Sequence, residues 1–157
     1  MNYIKLHGDL LNQPVEVIVN SWNRNMIPWW LLWPQGVSGA IKKCAGYGPF
    51  IELGRMGAIP RGGAVITKAG RLPYKAIIHV AGIDLLWRSS RCSVRDCVLS
   101  AMHLVNTYQF SSVAFPVIGA GSGGVWGCGF QEALATMEEA FAQVNSLSEV
   151  RIVIFKK

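Results

Sequence analysis

Two stretches of the sequence have the composition to hold an anion. IGAGSGGVWG (118–127) is too glycine-rich for ordinary turn chemistry. Glycines let a backbone approach a ligand closely and turn its N–H groups toward negative charge. QGVSGAIKKCAG (35–46) reads as a turn opening a helix at Gly36. A helix start offers free N–H groups and the positive end of a dipole. Two such loops facing each other could hold a diphosphate. Neither is a P-loop, because no Gly-Lys-Ser/Thr follows, and neither is a GxGxxG in the βαβ context of a dinucleotide site. Three further polar residues fall close to predicted strand ends: Asp9, Asn20 and Asn23.

The elements that must position these groups alternate along the chain. Strands are predicted at 2–6, 15–20 (VEVIVN), 64–68, 76–80, 112–118 and 151–155, from β-branched or continuous apolar runs. Three helical stripes lie between them. Val37, Ala40, Ile41, Cys44 and Ala45 form the first, which Gly46 stops. The second runs from Val94 to Tyr108, with Ser93 and Asp96 spaced like a capping box. Phe130, Ala133, Leu134, Met137, Phe141 and Val144 form the third. Pro116 belongs at a strand end, since it cannot donate to a ladder. Alternating strands and helices predict an α/β fold: three layers, α/β/α, around a mixed, largely parallel sheet. Ligands of such sheets sit beyond the carboxyl ends of the strands. Gly8-Asp9-Leu10, Asn20 with Asn23, the 118–127 loop and Phe155 all fall on that edge.

Composition narrows the class. The 157 residues fit one domain, 1–157, with no repeat or linker. No apolar run reaches the roughly 20 residues of a membrane span, and the N-terminus lacks the apolar stretch of a signal peptide. Cys44, Cys92, Cys97 and Cys128 form no CxxC pair and no zinc spacing, so they read as free thiols of a reducing cytoplasm, with no metal or cofactor called for. Net charge is +6 with pI ≈ 9.4, which suits an anionic ligand, nucleotide or nucleic acid, but the basic residues are scattered through the sequence.

Five motifs in order resemble the macro domain family, the ADP-ribose-binding modules. They are Gly8-Asp9-Leu10, Val19-Asn20-Ser21-Trp22-Asn23, Gly36-Val37-Ser38-Gly39-Ala40-Ile41, Ile77-Ile78-His79-Val80, and Ala114-Phe115-Pro116-Val117-Ile118-Gly119-Ala120-Gly121. The resemblance runs from Gly8 to Phe155. It implies that Asp9 accepts the adenine amino group with Leu10 beside the base, and that Phe155 packs on adenine. It places Asn20 among the ligand contacts and Asn23 at the distal ribose. Gly36, Val37, Ser38 and Gly39 would wrap the phosphates together with Gly119, Ala120, Gly121, Ser122, Gly123, Gly124, Val125 and Trp126.

The sequence departs from the family pattern at three points. The glycine run before Val37 is reduced to Gly36. Ser38 occupies the position of the Asp that some members use as a carboxylate base. The second loop is small at Ser122-Gly123-Gly124, where Trp126 or Phe130 could supply the aromatic. Asp84 lies close enough to the same edge to stand in as base, or else holds a turn. His79 reads as a structural hydrogen-bonder. PWWLLWP (28–34) reads as a wall or lid over the distal ribose, as core filling, or as an exposed patch. The resemblance implies an enzyme that hydrolyses an ADP-ribosyl linkage on protein or nucleic acid, ADP-ribose 1''-phosphate or O-acetyl-ADP-ribose. The alternatives are a non-catalytic reader of ADP-ribosylation and a basic nucleic-acid-binding module, none of them membrane-bound.

Overall fold

The computed structural model describes residues 1–31, 36–84, 86–120 and 127–155. The elements, in chain order, are β1 (Tyr3–Gly8), a 3-10 turn (Leu10–Asn12), β2 (Val17–Trp22), α1 (Gly36–Ala45), α2 (Gly48–Gly54), β3 (Ala64–Thr67), β4 (Ala76–Ala81), α3 (Arg91–Thr107), β5 (Ser112–Pro116), α4 (Phe130–Ala142) and β6 (Glu149–Phe155). The six strands form one sheet in the order β1-β6-β5-β2-β4-β3. Every neighbouring pair is parallel except β3 with β4. The expected mixed, largely parallel sheet is therefore present. Five strands point the same way, so their carboxyl ends share one edge.

Strand alternation divides the core in two. Val17 and Val19 of β2, Ile78 and Val80 of β4, and Phe115 of β5 face α3 and α4, against Val98, Ala101, Met137 and Phe141. Ile18 and Trp22 of β2, Ile77 of β4 and Ala114 of β5 face α1 and α2, against Ile41, Phe50 and Leu53. Asn20 and His79 fall on this second face by the same alternation. They are also Cα partners in the β2–β4 register.

The boundaries correct the sequence reading in four places. β1 runs two residues past Leu6 to Gly8, which sets Asp9 directly on the edge. β2 continues to Trp22, so Asn20 is inside the strand and Asn23 is the first residue beyond it. Helix α2 was not expected: it is short, has glycine at both ends and Pro49 in its first turn, and it is held by burying Pro49, Phe50 and Leu53. The cap of α3 is Ser90, whose hydroxyl accepts from the Ser93 N–H while the Ser93 hydroxyl receives the Ser90 N–H. Asp96 instead pairs with Arg95. Pro116 sits at the last position of β5, as its missing N–H requires.

Candidate ligand site on the carboxyl edge

The sheet register brings the two ends of the predicted site together. Gly8 is opposite Phe155 across β1 and β6, so Asp9 emerges beside the Phe155 ring. Phe155 is 71% exposed, an aromatic face with no core to fill. Asp9 is exposed and caps the 3-10 turn, accepting the Leu11 N–H at 2.9 Å. Its other carboxylate oxygen has no protein partner among the described residues. Leu10 is buried beneath, and its carbonyl accepts from the Tyr74 hydroxyl. An acidic acceptor, an apolar floor and a flat ring thus share one corner.

Toward the centre of the edge lie Asn23 and the start of α1. The Asn23 side-chain oxygen accepts the Asn25 N–H at 2.7 Å, and this turn fixes the side chain at the end of β2. Gly36, Val37 and Gly39 form the first turn of α1, while Ser38 points inward. The Ser38 hydroxyl lies 2.7 Å from Asn20 Oδ1 and 2.9 Å from the Ser21 carbonyl.

Ser38 is the outermost member of a buried chain. Asn20 Nδ2 donates to His79 Nδ1 at 3.0 Å, and His79 Nε2 donates to Thr67 Oγ1 at 2.8 Å. Thr67 then donates to the Lys68 carbonyl at 3.0 Å. Asn20 and His79 are fully buried. Burial holds the imidazole pKa down at about 3, because a charged ring has no water there. A neutral ring with its proton on Nε2 satisfies every member in this direction. The expectation that Asn20 touches a ligand is corrected by this geometry. Its side chain lies under the edge, and it acts on the α1 start through Ser38.

The reading of Asp84 as a general base is replaced as well. One carboxylate oxygen accepts the Leu86 and Arg88 N–H groups at 2.8 and 3.0 Å, and the other meets the Arg88 guanidinium at 3.0 Å. Those backbone donors, then the guanidinium, push its pKa below the ordinary carboxylate value. This is a carboxylate that holds a turn.

Gly119 stands at the end of β5 with φ +81°, where a Cβ would lie 3.0 Å from both Ser89 Cβ and Val94 Cγ2. The Ser89 hydroxyl donates to the Gly119 carbonyl and accepts the Cys128 N–H, both at 3.2 Å. Ser89 therefore fastens both flanks of the second glycine-rich loop. No motif in the sequence marks it. Ala120 ends the described part of that loop. Gly121, Ser122, Gly123, Gly124, Val125 and Trp126 lie outside the described residues, as do Pro34 and Gln35.

Trp29 is half-buried. Its ring packs 5.5 Å from that of Tyr47 and lies against Gly54, where a Cβ would come within 2.9 Å. Lys42 crosses it, with Nζ 5.0 Å from the ring centroid and 3.1 Å from the Trp29 carbonyl. Trp30 and Leu31 are exposed, at 68% and 65%. Core filling is thus the role of Trp29, and its neighbours face solvent. Trp33 lies outside the described residues.

Among the described residues, no group of three His, Cys, Asp or Glu is placed to hold a metal, and no helix is long and apolar enough to cross a membrane. Cys97 and Cys128 are buried and their thiols are pushed up by desolvation.

A mostly parallel sheet layered between helices, with its loops gathered on the carboxyl edge, is a three-layer α/β/α domain. The macro domain family model matches residues 19–137, and the chain belongs to that family. It is 36% identical over 153 residues to an O-acetyl-ADP-ribose deacetylase of Citrobacter rodentium, covering 92% of this chain and 77% of the relative. It is 30% identical over 158 residues to a macro domain-containing protein of Caldanaerobacter subterraneus, covering 96% and 86%. The macrodomain of Oceanobacillus iheyensis with ADP superposes with a TM-score of 0.83 at 27% identity, over 98% of this chain and 83% of that one. A mutant of the same macrodomain with ADPR gives 0.84 at 27% identity, over 98% and 84%.

Proposed function

We propose that the chain binds ADP-ribose along the carboxyl edge and slowly hydrolyses an ester of it, of the O-acetyl-ADP-ribose kind. One observation carries the proposal: Asp9 after β1, Phe155 on β6, Gly119 after β5 and Asn23 after β2 follow the sheet order along a single edge, with the α1 start beside Asn23, an order that suits adenine at one end and the distal ribose at the other. The relatives support it, since one is named O-acetyl-ADP-ribose deacetylase and another was captured with ADPR. Asp9 accepts the adenine amine and Phe155 stacks on the base. The N–H groups of α1 and of the Gly119 loop hold the diphosphate. Asn23 orients the distal ribose. On this reading 1–157 is a single domain organised around this edge.

Neither position considered for the base stands ready to take a proton from water. Ser38 is a neutral hydroxyl occupied by Asn20 and Ser21, and Asp84 is occupied by its own turn. Water is then oriented by the bound diphosphate. It adds to the ester carbonyl, the bond to the ribose oxygen breaks, and that oxygen takes up the proton. A missing general base lowers the rate by roughly 10²–10⁴-fold. For that reason a reader without turnover is the second reading. It is favoured by the occupied Ser38 hydroxyl.

Titration calorimetry with ADP-ribose, with Asp9→Ala as control, tests the site. Loss of the carboxylate acceptor should weaken binding about tenfold. Undetectable binding by the natural sequence would remove both readings. Chromatographic assay of O-acetyl-ADP-ribose with the natural sequence and Asn23→Ala then separates them: turnover above buffer that falls in the variant supports the enzyme, and turnover equal to buffer supports the reader.

A further inference from the structure

The basic residues are scattered, but the acidic ones are not, and their scarcity in one stretch leaves it with an excess of positive charge. Eight of the 15 Lys and Arg lie between Glu16 and Asp84, a stretch whose only acidic residue is Glu52. That stretch therefore carries more than the whole net charge of +6. It builds α1 and α2, the layer on one face of the sheet, together with the strands β2, β3 and β4 of the sheet itself. The pairing of cations differs on the two sides. Outside this stretch every described Lys and Arg has a carboxylate partner: Lys5 with Glu138, Arg88 with Asp84, Arg91 with Glu139, Arg95 with Asp96 and Arg151 with Glu149. Within it, among the described residues, only Lys75 forms an ion pair, with Glu16. Lys42, Lys43, Arg55 and Arg71 have none among the described residues.

Two of these cations, Lys42 and Arg71, lie beside the exposed Tyr47. Tyr47 is 63% exposed and its ring leans on Trp29 from above. Lys42 Nζ lies 5.9 Å from the Tyr47 centroid. The Arg71 guanidinium runs along Gly46, next to Tyr47, and donates to the Lys43 carbonyl at 3.4 Å. Arg55 closes the far end of α2, one seven-residue helix away from Tyr47. Trp30 continues from Trp29 on the solvent side, exposed. Unpaired cations alone would suit any polyanion. Flat rings held open between them suit one whose bases can stack, because every base has a π-face and its phosphates lie alongside. An acidic polypeptide would leave the rings without partners, and a duplex would keep its bases away from them.

We propose that the α1–α2 face is a docking surface for single-stranded nucleic acid, with Tyr47 and Trp30 stacking on bases and Lys42, Lys43, Arg55 and Arg71 neutralising phosphates. The surface is separate from the ADP-ribose contacts on the carboxyl edge, and it stands whether or not the chain hydrolyses an ester.

The test is fluorescence anisotropy with a labelled 20-nucleotide dT strand and a U strand of the same length. A blunt duplex and poly-glutamate serve as competitors, and ADP-ribose calorimetry runs in parallel on each variant. Four phosphate contacts predict a salt slope near −3 on logarithmic axes, a loss of about fiftyfold between 50 and 200 mM salt. Lys43→Glu with Arg55→Glu should halve that slope. Tyr47→Ala should weaken the strand about tenfold, and Tyr47→Phe should retain binding. ADP-ribose affinity should be unchanged in all three, which also shows that they fold. No strand binding at 50 mM salt overturns the proposal. So does a Tyr47→Ala variant that binds as before, or poly-glutamate competing as well as the strand, which would make the face an acidic-protein site. A preference for dT or U decides which strand chemistry the surface takes.

Discussion

Mild acid should destabilise this protein through one imidazole, His79. In the native fold its ring is fully buried between Asn20 and Thr67, with its pKa held at about 3. In the unfolded chain it regains the ordinary value near 6.5. Below pH ~6.5 the unfolded state therefore binds a proton that the native state refuses, and stability falls as pH falls. The contribution is fully present above that pH and is lost progressively toward pH 3. At pH ~5 the loss is about 1.5 units, or roughly 2 kcal/mol. That is a large share of a typical stability of ~5–15 kcal/mol. Glu16 and Asp84, both with lowered values, lose their contributions only as pH falls further, through the carboxylate range, so the window between about pH 6.5 and 5 isolates His79. Urea unfolding at a series of pH values, on the natural sequence and on His79→Gln, makes the measurement. The variant should be less stable by about 1–3 kcal/mol at neutral pH, because it disturbs a buried chain. Its stability should then be nearly flat across the window. Parallel curves for the two proteins would refute the reasoning. So would a His79 ring resonance that titrates near the ordinary value.

Three further outcomes follow from the site geometry. Asp84→Asn keeps the acceptor for the Leu86 and Arg88 N–H groups and loses the Arg88 ion pair, so ester turnover by chromatography should stay within about threefold; a drop of ~100-fold or more would restore Asp84 as the base. Trp29→Ala should cost about 2–3 kcal/mol in urea unfolding, since it empties the space against Gly54 and Tyr47, whereas Trp30→Ala should change stability by no more than about 0.5 kcal/mol. Gly119→Ala forces a side chain into a left-handed backbone against Ser89 and Val94; it should cost more than ~1 kcal/mol and weaken ADP-ribose at least severalfold by calorimetry.

The carboxyl edge was legible in the sequence because it depends on strand direction and on which motif follows each strand. Gly8-Asp9, Asn23, Gly36 and Phe155 fall there whether a strand ends two residues early or late. The direction in which a side chain points was not legible. Asn20 and Asn23 both read as edge residues, yet β2 runs on to Trp22 and buries the first of them. A two-residue extension decides this, and apolar runs locate strand ends no better. His79 could be read as structural from its place in an apolar strand, but its partners Thr67 and Asn20, and Ser38 beyond Asn20, come from three other elements. Helix α2 was missed because two glycines and a proline outweigh seven residues of propensity, and the burial of Phe50 and Leu53 that stabilises it is tertiary. Ser89 was missed for the same reason: its role is a contact with Gly119, 30 residues away.

The sheet order also constrains how the protein can assemble during synthesis. β6, the last of the six described strands in chain order, inserts between β5 and β1, and β1, the first of them, has no other strand neighbour among the described residues. The opening strand must therefore wait, unpaired, until residues 149–155 emerge. Its pairing spans nearly the entire chain, the kind of long-range closure that folds slowly and leaves an edge open meanwhile. The corner proposed for adenine is built from the two partners of that pairing, Asp9 after β1 and Phe155 at the end of β6. A nascent chain that has not yet closed its sheet lacks that corner, so capture of ADP-ribose there would report closure of the β1–β6 pair.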